Sequence, residues 1–372
     1  LLLTGCFARA AAERHSISRL WKQSSGLIAR SVTQNAGDHG EHYITRDKKE
    51  YWAMFYSAAG GGVLIALMAL FKTYLGSIID DKVWKGLAEG LNYGFGFMVI
   101  FMLHFTVATK QPAMTAARFA EAVEKNPQGK TLNMKLAQLL VDVFRSQSVA
   151  VLGNVVVAMG LAALIAFVYQ HQTGEPLMNS ENIAYQLHRI DPLDGSLWFA
   201  AIAGVWLFCS GIISGYFDNR SNYLNMRMRL AQHPLLKKLM SEKSRVKFAN
   251  YMHENYGSLI GNFCFGMLLG LTGLVGYLTH LPLDIRHVAF SSANLGYSAV
   301  SGQFAYPFFL QCIAFVLLIG LVNLMVSFSL TLWVALRSLN TEIDSWWAIW
   351  HEVCQIVRKR PLSLFFPVQL DK

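Results

Sequence analysis

The feature that most constrains this chain is a recurrence of apolar segments of about 20 residues or more, each long enough to cross a hydrocarbon layer of roughly 30 Å. Such a layer offers no water to bond backbone amides, so the segments are expected to be helices and the fold all-α. Hydrophobic residues make up 53% of the 372 positions and charged residues 15%. Because the apolar residues come in blocks, these numbers point to a polytopic integral membrane bundle and not to two or three soluble domains.

Six transmembrane helices are expected, over residues 52–75, 87–109, 149–169, 197–217, 258–278 and 306–336. The polar stretches between them alternate in charge. Residues 110–145 carry six Lys or Arg against Glu121, Glu124 and Asp142, and residues 218–257 carry eight against three acids. Residues 171–196 carry four acids against the single Arg189. By the positive-inside rule the two basic stretches are cytoplasmic loops, the acidic one is outside, and both termini are cytoplasmic, as in a bacterial inner membrane. The net charge of +9 then finds its partner in anionic lipid at the cytoplasmic face, not in nucleic acid.

Three regions follow: a basic lead-in at 1–50, the end of a longer N-terminal region; a six-helix domain at 51–337; and a cytoplasmic tail at 338–372. The opening Leu1 to Cys6 resembles a lipoprotein cleavage box, but no Met and no basic segment precede it, and a start inside a longer protein is the expected explanation. His39 and His42 lack further ligands nearby and read as a solvated loop. The five cysteines are far apart, so neither a disulfide framework nor a zinc site is expected. No cofactor is expected. Apolar residues at helical spacing in 218–257 suggest a basic helical hairpin on the bilayer surface. Ile343, Trp346, Trp347, Trp350, Val353, Cys354 and Val357 recur at steps of three and four, an amphipathic helix read as an interfacial anchor.

One polar stretch stands out, Pro282 to Tyr297, between the last two apolar segments. In a helix His287, Ser291, Asn294 and Ser298 share one face, and Ala289, Ala293, Gly296 and Val300 another. Read as a seventh crossing, 282–303 would put the basic C-terminus outside, so a short re-entrant or interfacial helix on the outer side is expected. Asp284, Arg286, His287, Ser291, Ser292, Asn294 and Tyr297 form a candidate polar site, with Glu89 and His104 contributing from the second span. A weaker signal is an internal echo: Gly153-Asn154, Met159 and Tyr169 reappear 108 residues later as Gly261-Asn262, Met267 and Tyr277.

At Gly40 to Arg46, Leu103 to Ala117 (including Lys110 and Gln111), Gly215 to Arg220 (including Asp218, Asn219 and Arg220) and Leu283 to Tyr297, the chain resembles a bacterial membrane-protein family that carries the name site-specific recombinase, Gcr type. The family name implies DNA strand exchange. Arg286, His287 and Tyr297 supply residue types that a tyrosine recombinase uses, but the charge rule places them away from the chromosome with few basic neighbours, so duplex DNA is not an expected partner. No catalytic residues are assigned. The residues leave open a scaffold or envelope-assembly protein, which is the first expectation, bound to a protein partner or a second copy. A carrier of a small polar or amphiphilic substrate is the alternative, and a cavity lined by the polar stretch would distinguish it from a tight bundle.

Overall fold

The computed structural model of the chain describes residues 44, 45, 47–107, 115, 116, 119, 120, 122, 123, 130–338, 343 and 345–367. Among these every regular element is a helix. In chain order they are α1 (Lys48–Ile78), α2 (Lys82–Met102), α3 (Lys130–Thr173), α4 (Ser180–Ile190), α5 (Ser196–Tyr223), α6 (Met226–Gln232), α7 (Pro234–Leu239), α8 (Glu242–Thr279), α9 (Val288–Ser301), α10 (Tyr306–Ser338) and α11 (Trp346–Lys359).

Local chemistry sets many of the boundaries. The Asp47 carboxylate accepts from the Glu50 N–H at 2.7 Å, and that of Asp81 from Val83 and Trp84 at 3.0 Å each, satisfying donors that a helix start leaves free. Asn179 caps α4 and Ser345 caps α11 in the same way. The chain leaves α2 and α8 through residues in the left-handed region, His104 at φ 57° and His280 at φ 55°.

Five helices, α1, α3, α5, α8 and α10, are long and apolar enough to cross a membrane. Their outward faces stay apolar, with Phe71, Phe167, Leu317, Leu321 and Trp333 exposed, a surface that favours lipid over water. α2 is not among the five. It holds Lys85, Glu89 and Asn92, and it spends Gly90 and Gly94 on contact with α8. A Cβ on Gly270 of α8 would collide with the Gly90 backbone, so the two axes approach as closely as small residues permit.

Around the bundle the neighbours run α3, α1, α2, α8, α5, α10, with α9 enclosed against α1, α3, α4 and α10. The Leu283 carbonyl meets Gly276 near the end of α8. From there the chain extends inward until the Arg286 N–H reaches the Phe199 carbonyl at 3.2 Å and Val288 packs on Gly320. α9 then runs back beside α3, passing Met159 at Gly296 and accepting the Met178 N–H at Ser301 (3.2 Å). The polar stretch is thus helical only from Val288, and Asp284 and Arg286 sit on extended backbone.

Several expected boundaries shift. The segment 149–169 is the far half of a 44-residue helix of about 66 Å, and 258–278 belongs to a 38-residue one. Much of the two basic stretches is therefore continuous helix, and a second core lies where α3 begins, joining Leu136, Val141, Leu332, Ile349 and Val353. There the Arg145 guanidinium donates to the carbonyls of Thr45 (2.5 Å) and Ser363 (3.2 Å), tying both ends of the described chain to α3. α11 is amphipathic: Ile349 and Val353 are buried, while Trp346, Trp347 and Trp350 are exposed, Trp347 at 82%. Ile349, which lies outside the expected stripe, and Val353, which belongs to it, pack against the first half of α3.

α5 and α8 meet at the Gly215 to Arg220 motif. The Asp218 carboxylate accepts from the Gly257 N–H at 2.9 Å, and the Ser221 hydroxyl donates to the His253 carbonyl at 3.2 Å. Gly257 and His253 are the donor and acceptor that an α-helix pairs with each other, so α5 supplies alternative partners to one rung of α8. Asn219 and Arg220 are exposed. The internal echo has a packing basis: Gly153 lies against α1 at Ala58, and Gly261 against α5 at Ser210 and Ser214. Asn154 bonds across to the Ala58 and Thr106 carbonyls, whereas Asn262 bonds back to Ser258 on its own helix.

Candidate functional site

Near the end of the bundle that carries α4, the helices α1, α2, α3, α4, α8 and α9 and the segment before α9 surround a cleft of about 1170 Å³. A narrower recess continues from it to His287 and Ser291. Lys72, Arg189 and Asn294 line both.

Lys72 is a cation inside the apolar run of α1, six residues from its end. Its ammonium lies 3.0 Å from the Glu89 carboxylate on α2 and 5.5 Å from the centre of the Tyr93 ring, so neither charge is left alone in an apolar wall. Across the cleft, Arg189 of α4 and Arg286 share one carboxylate, Asp284, at 3.2 and 2.6 Å. Arg189 also donates to the Tyr185 hydroxyl (2.6 Å), and Arg286 to the Arg189 carbonyl (2.7 Å) while its guanidinium lies over the Phe199 ring. Burial pushes the Asp284 carboxyl up, and the two guanidinium groups together with the Ile285 N–H pull it down further, to about 2.

Asn323 of α10, fully buried, fixes the bottom of this segment. Its amide donates to the carbonyls of Ala200 (2.8 Å) and Arg286 (2.9 Å), and its oxygen accepts the Val288 N–H (3.1 Å). Three elements meet on one side chain, which holds Arg286 and His287 in place. The His287 ring is packed among Phe97, Phe265 and Phe290, with centroids 5.7 to 6.1 Å away.

The structure brings Glu89, Asp284 and Asn294 to the cleft and Arg286, His287 and Ser291 to its recess. It separates the others. Ser292 bonds back to the Ala289 carbonyl on its own helix, and the Tyr297 hydroxyl donates to the Ala66 carbonyl of α1 at 3.0 Å. Ser298 turns to the Met178 sulfur. His104 is exposed beyond the far end of α2 and does not join the site, because α2 ends at Met102 and not at 109. Lys110, Gln111, His39 and His42 lie outside the described residues. Lys72 and Asn323 were absent from the expected site, although each is a polar residue within an apolar run, the signal that singled out Glu89.

Fold and cleft together define an all-helical protein with five helices of membrane-crossing character and a charged, half-buried cleft at one end. The chain belongs to the family described as Site-specific recombinase, whose profile matches residues 1–367. Comparison with curated proteins and with solved structures gave no match.

Proposed function

We propose that this chain is a polytopic protein of the bacterial inner membrane whose outward-facing cleft binds a small polar or amphiphilic molecule, as a carrier or a binding protein. In this reading α2 is a sixth crossing, shielded by α1 and α8, both termini are cytoplasmic, and residues 281–301 enter from the outer side and return. The observation that carries it is the 1170 Å³ cleft running into a recess that the polar stretch lines. Ligand sites are typically concave, largely apolar and roughly 300–1,000 Å³, with a few convergent polar groups. A tightly packed scaffold would have no use for such a volume.

A second reading, a scaffold that engages anionic lipid or a protein partner on the cytoplasmic side, draws on the other end of the molecule. There α6 and α7 present Arg227, Arg229, Lys237 and Lys238 beside exposed Leu235 and Leu239. The two readings are compatible, one for each end. DNA strand exchange fits the residues poorly. Tyr297 and His287 are each 1% exposed and Arg286 is engaged by Asp284, so none of the three is presented to a phosphodiester.

Water access to the cleft tests the proposal. In a variant lacking native cysteines, Asn294→Cys should react with a water-soluble maleimide in the detergent-solubilised protein, while Ser292→Cys should not. Equal protection of both would remove the cleft and leave the scaffold reading.

A further inference from the structure

The cleft has an excess of positive charge. Lys72, Lys82, Lys85 and Arg189 line it against Glu89 and Asp284, four cations to two acids, and Arg286 adds a fifth cation in the recess. Lys72 is matched by Glu89. Arg189 and Arg286 have only Asp284 between them, which leaves one half-buried positive charge with no counter-ion in the described chain. Lys82 and Lys85, at the mouth, form no ion pair with a described residue, and Lys82 rests over the Tyr277 ring at 4.2 Å. Uncompensated charge at this depth is costly unless something supplies the opposite sign. Asn294 faces the same space, and its amide makes no hydrogen bond to a described residue.

The remaining wall is apolar. Leu67, Leu70, Ile165 and Leu269 line the deeper part, and Tyr169 and Tyr277 stand nearer the helix ends. The volume of about 1170 Å³, somewhat above the usual range of roughly 300–1,000 Å³ for ligand pockets, admits a chain as well as a head. Leu67 and Phe71 are themselves exposed on the flank of α1, so the apolar part of the cleft adjoins the surface that faces lipid.

We infer that the ligand is an anionic amphiphile: an acidic headgroup such as a phosphate ester, held between Lys72, Arg189, Lys85 and the Asn294 amide, with its acyl chain along α1, α3 and α8. This rests on the reading of the cleft as a binding site and adds the ligand's class. Arg189 and Arg286 already hold one carboxylate between them, and a second anion completes the set. Guanidinium groups suit phosphate oxygens through paired N–H donors, and the lysines add point charges.

Native mass spectrometry of the full chain in detergent provides the test, with dioleoyl phosphatidylglycerol, dioleoyl phosphatidylcholine and sn-glycerol 3-phosphate as separate probes. We expect one phosphatidylglycerol to be retained preferentially over phosphatidylcholine. The Lys82→Gln/Lys85→Gln double variant, whose changes lie at the mouth and leave the core intact, should weaken that binding about thirtyfold, as loss of two near-surface charges implies. Lys72→Gln should act in the same direction, and Lys237→Gln/Lys238→Gln at the opposite end should leave the tightest binding unchanged. Retention of glycerol phosphate alone as strongly as the lipid would overturn the amphiphile and point to a soluble phosphate ester. Equal retention of the two lipids, both lost in Asn294→Trp, would overturn the acidic head while the cleft remains a binding site. Lipid binding that only the Lys237/Lys238 pair controls, indifferent to Asn294→Trp, would overturn the inference and the binding-site reading together.

Discussion

The Lys72 ammonium of α1 lies 3.0 Å from the Glu89 carboxylate of α2, and these two opposite charges join the first two helices across the wall of the cleft. Neither helix could carry its charge there alone. Removal of one partner leaves the other desolvated, whereas removal of both does not. Lys72→Met and Glu89→Met should therefore each destabilise the detergent-solubilised protein by about 3 kcal/mol, and the double variant by clearly less than their sum. A double-mutant cycle on thermal unfolding reads the coupling directly.

Asp284 gives the protein a pH dependence with a defined sign. Its folded-state pKa, about 2, lies below its ordinary 3.8, so its stabilisation is fully present above that ordinary value and is lost as pH falls through 2. The contribution at neutral pH is about 2 kcal/mol. Wild-type melting temperature should fall over this acid window more steeply than that of Asp284→Asn, which should already be destabilised at pH 7 because Arg189 and Arg286 lose their shared partner.

Gly257 is required by the contact of α5 with α8. A Cβ there would collide with the Ser214 carbonyl and the Asp218 carboxylate, and backbone atoms cannot yield as a flexible side chain does. Gly257→Ala should cost about 2–4 kcal/mol or abolish folded yield. Asp218→Asn, which keeps an oxygen for the Gly257 N–H, should cost about 1 kcal/mol. Size-exclusion elution profiles across a temperature series distinguish the two.

Tyr297 separates a structural tyrosine from a chemical one. Its hydroxyl is buried and donates to the Ala66 carbonyl, so Tyr297→Phe should lose one hydrogen bond, about 1 kcal/mol, and leave ligand binding in the cleft intact. Loss of all function in a variant that remains folded would instead return Tyr297 to the chemistry.

Much of this was legible from residue types and charge. The all-α fold, the family and the polar stretch before the last long helix follow from apolar run lengths and four local motifs. The helix boundaries did not, because hydropathy marks where a helix meets lipid and not where it stops. α3 continues for about half its length as an amphipathic helix, covered by α11 and the turn Pro361–Leu364. α2 shows the converse. Its glycines and Lys72's partner Glu89 lower its hydropathy because it is packed between α1 and α8. Lys72 and Asn323 carried the same signal as Glu89; what residue types do not reveal is the pairing, since Lys72 meets Glu89 from 17 positions away and Asn323 bonds to Ala200 of α5 and to Arg286 and Val288. Tyr297 and Ser292 share the stretch with the site but lie on other faces of α9, bonded to the Ala66 and Ala289 carbonyls, while Asp284 lines the cleft and Arg286 its recess from extended backbone.

The most direct test is sidedness of the cleft in intact cells. With native cysteines replaced, Lys85→Cys and Asn294→Cys should be labelled by a membrane-impermeant maleimide added from outside, and Lys237→Cys only after the membrane is opened. Labelling of Lys237→Cys from outside, with Lys85→Cys and Asn294→Cys protected until lysis, would contradict the account and place the cleft on the side of the chromosome.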